Sequence, residues 1–239
     1  MRIVGITRVR NEEQVIGNTL NHVSSFVDEV LVFDDCSLDD TVRICSEHPI
    51  VSQVLQGKNW SPDPKERNGL EGKHRQILYE LAGQRGADFV YCFDADEYIY
   101  PEKIDFTADC YFFRLFDFYI TKEDHTKPYL ERRWMGPEYR DIPMLFKVHP
   151  WLKFTQRIPR NYGVPVFGGY VKHYGKAISI EEWEAACVYY TNFRWKGINE
   201  KLYNRWQARK GKAIHSLSDF GRPLIQWNER TTKAIKLND

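Results

Sequence analysis

The chain of 239 residues lacks the features of several common protein classes. No apolar run approaches the roughly 18 residues that span a bilayer, and the segment after Met1 lacks the long apolar core of a signal peptide. The five cysteines are an odd number without CxxC spacing, which argues against a zinc site or a disulfide framework. We therefore expect a cytoplasmic protein with reduced thiols.

Signature motifs of several enzyme classes are also missing. The chain has neither the GxxxxGK[ST] of P-loop proteins nor the GxGxxG of Rossmann dehydrogenases. His-x-x-x-His and Gly-x-Ser-x-Gly are absent too, which lowers the expectation of a zincin or an α/β-hydrolase. The formal net charge is only +1, so no nucleic-acid partner is expected.

What the sequence does contain is an alternation of strand and helix patterns. Continuous apolar runs at 3–6, 30–33 and 89–93 are typical of strands buried on both faces. Apolar residues at helical spacing lie between them. This order predicts an α/β fold with a mostly parallel central sheet flanked by helices, and ligands at the carboxyl ends of the strands.

Beyond residue 100 the pattern changes. We expect strands at Tyr111–Phe116, Met144–Val148, Val164–Phe167 and Gly169–Tyr174, and then helical spacing from Ile180 and from Ile198. These patterns predict a domain at 1–178, with a donor half at 1–100 and an acceptor half at 101–178. A helical C-terminal extension is expected at 179–239.

The sharpest motif is Asp94-Ala95-Asp96-Glu97, directly after a buried strand. Carboxylates at i and i+2 point to the same side, and near one another they need a compensating cation. Oxygen ligands suit Mg²⁺ or Mn²⁺, and such an ion can neutralise a diphosphate leaving group. The alternative is an acidic turn that only caps and solvates.

Polar segments follow the other strand patterns as well. Asp34 and Asp35 can accept hydrogen bonds from a base or a ribose, and Arg8 or Arg10 can reach a base or a phosphate. Lys73 and Arg75 stand at an expected helix start, where cations oppose the helix dipole and a phosphate would explain them. Pure helix capping and a solvated basic turn are the alternatives.

Together these segments resemble family 2 glycosyltransferases, which have a GT-A type fold. The family shows N-E-E after the first strand, D-D-x-S-x-D-x-T after the second, a G-x-x-x-[RK]-N-like helix start, and a strand ending in D-A-D-E. The matching segments here are Arg10-Asn11-Glu12-Glu13, Asp34-Asp35-Cys36-Ser37-Leu38-Asp39-Asp40-Thr41, Gly72-Lys73-His74-Arg75-Gln76 and Asp94-Ala95-Asp96-Glu97. Their order and spacing agree over residues 1–100.

The resemblance implies a hexosyltransferase with Mn²⁺ or Mg²⁺ as cofactor and a nucleotide-sugar donor, a UDP-sugar being favoured. It implies nucleotide contacts for Thr7, Arg8, Arg10, Glu12, Asp34, Asp35, Lys73, Arg75, Asp94 and Ala95. It further implies that Asp94 and Asp96 ligate the metal.

The second half is similar to the lipopolysaccharide-core type subgroup, but more loosely. Met144-Leu145-Phe146-Lys147 looks like its R-L-F-[RK] strand, and His173-Tyr174-Gly175 looks like its H-Y-[SG] element. His173 is therefore the candidate for a third metal ligand. The subgroup's His-Glu pair is missing, and Gln156-Arg157-Ile158-Pro159-Arg160 stands near its place.

An inverting transfer needs a carboxylate within hydrogen-bond reach of the attacking hydroxyl. Asp141 is our first candidate for this base and Glu138 the second, with Glu131, Asp124 and Asp117 left open. We expect a glycan, lipid-linked or glycoprotein acceptor. The basic, aromatic segment from Arg194 to Lys212 is compatible with peripheral contact to a membrane.

Two other functions stay open at this level. A phosphatase or phosphotransferase of the haloacid dehalogenase type would use Asp94 as its nucleophile. A non-catalytic module would keep the nucleotide pocket without a base.

Overall fold

The structure, a computed structural model, describes residues 1–61, 63–102, 104–192, 197–227 and 235–236. The chain forms two compact units. The first consists of Met1–Arg114 and Ile142–Val171, and the second of Leu115–Asp141 and Lys172–Asp239. The predicted division at residues 100 and 178 does not coincide with these units and stays a prediction.

The strands and helices follow in chain order. The strands are β1 (Ile3–Val9), β2 (Glu29–Asp34), β3 (Val51–Gln56), β4 (Phe89–Phe93), β5 (Glu97–Pro101), β6 (Cys110–Asp117), β7 (Trp134–Met135), β8 (Glu138–Lys147), β9 (Lys153–Phe154), β10 (Pro159–Arg160), β11 (Val166–His173), β12 (Ile225–Gln226) and β13 (Ile235–Lys236). The helices are α1 (Ile16–Val23), α2 (Thr41–Glu47), α3 (Pro64–Gln84), α4 (Ile180–Tyr190) and α5 (Glu200–Gln207).

The main sheet confirms the predicted α/β class. Its first part has the order β3-β2-β1-β4, and each neighbouring pair is parallel. Every residue of β2 and β4 is buried, which explains their continuous apolar sequences. Past β4 the order continues β8-β6-β11-β5, and β8 runs antiparallel to β4. The parallel part therefore covers the strands whose ends carry the motifs.

Three strand predictions need correction. The strand expected at Met144–Val148 begins at Glu138, so Asp141 lies within it rather than before it. The strands expected at Val164–Phe167 and Gly169–Tyr174 are one strand, β11. Gly169 within it has a φ of +138°, and a Cβ there would lie 2.2 Å from the carbonyl oxygen of Tyr100. A glycine is thus required by a close backbone approach, and it does not end the strand.

Helix α3 also begins earlier than expected. The carboxylate of Asp63 accepts hydrogen bonds from the backbone N–H groups of Lys65 (2.8 Å) and Glu66 (3.3 Å). Pro64 occupies the first helical position, where its missing N–H has no partner to lose. Residues 72–76 consequently lie in the middle of the helix. Lys73 and Arg75 therefore do not lie at a helix start, and the helix dipole does not call for a phosphate beside them.

In the second unit, α4 and α5 pack together through aromatic side chains. Trp183 and Trp206 are both buried, and their ring centroids lie 5.6 Å apart. Trp206 is thus a core residue and offers no surface to a membrane. Arg194, Trp195 and Lys196 lie outside the described residues. None of the helices in the described part of the chain is long and apolar enough to cross a bilayer, and peripheral membrane contact stays a prediction.

Candidate functional site

The carboxyl ends of three parallel strands bring the polar segments of the first unit together. Residue Val9 of β1 pairs with Asp34 of β2, and Thr7 pairs with Phe93 of β4. The segments after these strands therefore begin at one edge of the sheet, where α/β folds bind ligands.

Asp35, directly after β2, is a buried acid at this edge, with 1% of its surface exposed. It forms an ion pair with Arg8 through Oδ2, and its N–H donates to the carbonyl of Val9 at 2.8 Å. Among the described residues, its Oδ1 has no hydrogen-bond partner, and neither has the hydroxyl of the fully buried Thr7. Because buried polar atoms are normally paired, these two atoms are suited to a ligand.

His74 of α3 completes this corner, although it was not among the predicted site residues. Its ring stacks on Phe33 with centroids 3.7 Å apart, and Nε of Arg8 donates to its Nδ1 at 3.3 Å. Burial, and then the nearby charge of Arg8, lower the pKa of His74 to about 4. The ring is therefore neutral near pH 7, and an accepting Nδ1 places the proton on Nε2.

This neutral histidine predicts a specific pH dependence of stability. Its ordinary pKa is 6.5, so the unfolded chain takes up a proton before the folded one as the pH falls from 6.5 to about 4. The contribution of His74 to the free energy of unfolding is fully present above pH 6.5. It decreases by up to about 1.4 kcal/mol per pH unit as the pH falls through this window. His74→Gln should make the loss between about pH 7 and about pH 5 smaller, as measured by urea unfolding.

The exposed His125 provides the matched control for this experiment, and His74→Gln should change the pH dependence more than His125→Gln does. An equal loss of stability in His74→Gln and in the wild-type protein would show that His74 is not held neutral.

Arg10 stabilises the loop after β2. Its guanidinium donates to the carbonyl oxygens of Asp35 (2.8 Å) and Cys36, where the backbone has a φ of 60°. The same group lies over the ring of Trp60, 4.1 Å from the centroid. Arg10 thus shapes the pocket beside Asp35. Trp60 stands in a polar loop without a pattern that marks it in the sequence.

Two further predicted residues have bonds that shape the same loops. The carboxylate of Asp34 accepts from the N–H of Ser37 at 3.1 Å, and it is buried. The backbone N–H of Glu12 donates to the hydroxyl of Thr41 at 2.7 Å. Lys73 is exposed on α3. These contacts hold the strand-end loops, and nucleotide contacts for these residues stay predictions.

Asp94, after β4, has two guanidinium groups as its counter-charges. Arg75 donates to Oδ1 at 2.6 Å and Arg157 pairs with Oδ2. Arg157 also donates to both oxygens of Glu97 at 2.6 Å, and Glu97 is fully buried. The expectation that the charge of Asp94 needs a metal ion is corrected, since arginines compensate it. Arg157 was missed as a site residue because it lies far away in the sequence.

The predicted metal ligands do not form a metal centre as arranged. Both oxygens of Asp94 bind guanidinium groups, and the carbonyl of Ala95 accepts a hydrogen bond from Thr19. His173 lies in the second unit, where its Nδ1 is 2.6 Å from Oδ1 of Asp117. Within the described residues, no three His, Cys, Asp or Glu side chains are grouped to hold an ion. Asp94 therefore does not fit a metal ligand in this arrangement, whereas the half-buried Asp96 has the right donor chemistry.

The candidate bases all lie in the second unit. Glu138 is buried and accepts from the hydroxyl of Ser218 at 2.9 Å. Although burial opposes it, the charges of Lys176 and Arg140 hold the pKa of Asp117 well below its usual range, so Asp117 is a poor proton acceptor.

Two of the remaining candidates, Asp124 and Glu131, differ in burial. The buried Asp124 accepts from the hydroxyl of Thr121 at 2.8 Å, and Glu131 is exposed. Asp141 is half-buried on β8 and stays the first candidate.

Comparison with known proteins agrees with the motifs of the first unit. Residues 6–106 match the family model described as Glycosyl transferase family 2. The matched range contains Asp35, α3 and Asp94, and it ends before Arg157 and before the second unit. The similarity to this family is thus confined to less than half of the chain.

Two curated mycobacterial proteins also match. Uncharacterized protein Rv3786c of Mycobacterium tuberculosis and Uncharacterized protein Mb3815c of Mycobacterium bovis are each 35% identical over 112 residues. The similarity covers 45% of this chain and 26% of each of those proteins, so the chain spans only a minor part of their length.

Solved structures with local likeness include glucosyl-3-phosphoglycerate synthase from Mycobacterium tuberculosis. A crystal structure with Mg²⁺ and uridine-diphosphate gives a TM-score of 0.29 at 22% identity, covering 41% of this chain and 34% of that chain. Another, with Mn²⁺, UDP-glucose and phosphoglyceric acid, gives 0.32 at 18% identity and covers 50% and 44%. These scores are too low to transfer anything to this chain.

Proposed function

We propose that this chain transfers a sugar from a nucleotide-sugar donor to a hydroxyl of an acceptor. The observation that carries the proposal is Asp35, a buried carboxylate with one oxygen that has no hydrogen-bond partner in the described parts of the chain, as is also the case for the hydroxyl of Thr7. Both atoms lie at the strand ends, where a nucleotide binds in folds of this class. The match of residues 6–106 to a glycosyltransferase family supports the transfer chemistry.

The unpaired oxygen also favours certain bases. A carboxylate only accepts hydrogen bonds, so it suits the imide N–H of uracil or thymine, or the N1–H of guanine. The corresponding nitrogen of cytosine carries no hydrogen and would meet the carboxylate with a lone pair. We therefore favour a UDP-sugar donor, with dTDP and GDP sugars as the next candidates.

Replacing Asp35 by Asn tests the base site. The amide keeps the shape of the side chain but loses the charge, so UDP affinity should fall about tenfold to a hundredfold in titration calorimetry. CDP is the matched ligand: it should bind the wild-type protein more weakly than UDP, and this preference should be lost in Asp35→Asn. An unchanged preference would place the base elsewhere.

Donor hydrolysis separates an enzyme from a binding module. Incubating the protein with UDP-, GDP- and dTDP-sugars in the presence of Mn²⁺ should release one nucleoside diphosphate. Binding without any release or transfer, across a broad set of acceptors, would favour the non-catalytic module. The haloacid dehalogenase alternative needs a free nucleophilic oxygen on Asp94, and both of its oxygens bind guanidinium groups.

We propose a glycan, lipid-linked or glycoprotein acceptor and an inverting transfer with Asp141 as its base. Asp141 keeps this place as a half-buried carboxylate on β8, and the low pKa of Asp117 makes that residue a poorer base.

A divalent metal, Mn²⁺ or Mg²⁺, remains part of the proposal through Asp96. At a hundredfold excess over its Kd, a ligand adds about 2.7 kcal/mol of stability, or about 5–10 °C in Tm for a chain of this size. Mn²⁺ with UDP should therefore raise the Tm more than UDP alone. Asp96→Asn should abolish the additional gain and keep the gain from UDP alone, while a full metal-dependent gain in this variant would remove the assignment.

A further inference from the structure

Arg157 occupies a place that the motifs do not explain. It belongs to the segment that stands where the resembling subgroup has a His-Glu pair, yet its guanidinium lies between Asp94 and Glu97 at the end of β4. The positive charge of Arg157 therefore lies beside the predicted diphosphate site, and the motifs do not explain its function there.

The bonds of Arg157 leave part of its donor capacity open. One terminal nitrogen donates to Asp94 and the other to both oxygens of Glu97. These bonds use three of the five N–H groups of the guanidinium. The side chain is 22% exposed, whereas that of Arg75 is only 3% exposed. Of the two arginines on Asp94, Arg157 is therefore the one that a ligand can reach.

The carboxylates around Arg157 hold it in a fixed orientation. The bonds of one terminal nitrogen to both oxygens of the fully buried Glu97, and of the other to Asp94, fix the position of the guanidinium. A planar, oriented guanidinium is suited to phosphate oxygens, to which its remaining N–H groups can donate. Because its position is set before the ligand arrives, little conformational freedom is lost on binding.

The distance across the sheet agrees with a diphosphate at this place. Asp35 follows β2 and Asp94 follows β4, and β1 lies between these two strands. Two spacings between neighbouring strands amount to about 9–10 Å. A base at Asp35 therefore leaves room for the ribose above β1 and brings the phosphates toward the end of β4.

We propose that Arg157 binds the diphosphate of the donor and gives the site an affinity for phosphate that does not depend on a metal ion. This inference rests on the proposed function, because it takes the nucleotide to be bound through Asp35.

The test compares uridine with UDP by titration calorimetry in the presence of a metal chelator. The ratio of the two affinities reports the diphosphate alone, since both ligands carry the same base and ribose. In the wild-type protein, UDP should bind about tenfold to a hundredfold more tightly than uridine. Guanosine and GDP serve as a second pair.

The principal variant is the double substitution Arg157→Gln with Glu97→Gln, because removing Arg157 alone would leave a buried charge unpaired. In this variant the ratio of UDP to uridine affinity should fall to near one, while the affinity for uridine stays unchanged. Arg157→Lys, which keeps the charge but not the planar guanidinium group, should give an intermediate ratio. Arg160→Gln, an exposed arginine of the same segment, should keep the wild-type ratio.

Distinct outcomes separate the two proposals. A wild-type ratio in the folded double variant or in Arg157→Lys, or a ratio near one in the wild-type protein with chelator, would overturn the role of Arg157. Failure of the wild-type protein to bind any nucleoside or nucleotide would overturn the proposed function itself.

Discussion

Asp94→Ala should lower the free energy of unfolding by about 3–5 kcal/mol, the range for removing one partner of a buried ion pair. Arg75 is nearly inaccessible to water, and Asp94 is its nearest carboxylate at 2.6 Å. Its other close contacts are the sulfur of Cys92 at 3.2 Å and Glu71 at 3.6 Å, which compensate its charge less well. Urea unfolding followed by circular dichroism measures the loss.

This effect decides how variants of the D-A-D segment are interpreted. Asp94→Ala would lose activity whether or not Asp94 touches a metal or a nucleotide, because the arginines around it would rearrange. Asp96→Asn is the matched control, and for this half-buried side chain we expect a loss of about 1 kcal/mol or less. Equal and small losses for the two variants would show that Asp94 is not needed to compensate the charges of Arg75 and Arg157.

The first half of the fold was predictable from the sequence because its strands are buried on both faces. Residues 30–33 and 89–93 form apolar runs without polar interruptions, and each is followed at once by carboxylates. Burial on both faces produces such a run, and parallel strands bring its polar end to the edge where ligands bind. The positions of Asp35 and Asp94 at that edge therefore followed from local pattern alone.

The start of α3 was missed for a local reason. Its first turns carry Pro64, Lys65 and Glu66, and Gly69 has no side chain that could add apolar periodicity, so the segment resembles a polar loop. The signal was present in Asp63 followed by Pro64, a cap and a first helical residue. Arg157 was missed for a different reason, because its pairing with Asp94 joins residues 63 positions apart, and no local spacing encodes such a contact.

Gly72→Ala should disturb the same cluster without changing any charge. A Cβ at Gly72 would lie 2.2 Å from the carbonyl carbon of Thr155 and 2.7 Å from the backbone nitrogen of Gln156. Backbone atoms cannot turn away as a flexible side chain can, so the segment before Arg157 must move. We expect a loss of about 3 kcal/mol, the upper part of the usual range for overpacking.

In Gly72→Ala the ratio of UDP to uridine affinity should fall as well, because a shift of the backbone at 155–156 moves Arg157 away from Asp94. Gly69→Ala is the matched control in the same helix. No atom lies within 4 Å of a Cβ at Gly69, and alanine there should raise stability by about 0.5–1 kcal/mol. A stable Gly72→Ala with a wild-type ratio would show that the contact between α3 and residues 155–156 does not position Arg157. The approach of the backbone at 155–156 thus explains why a glycine stands at position 72. The same part of α3 carries Arg75, which pairs with Asp94, so α3 acts on Asp94 both directly and through the segment of Arg157.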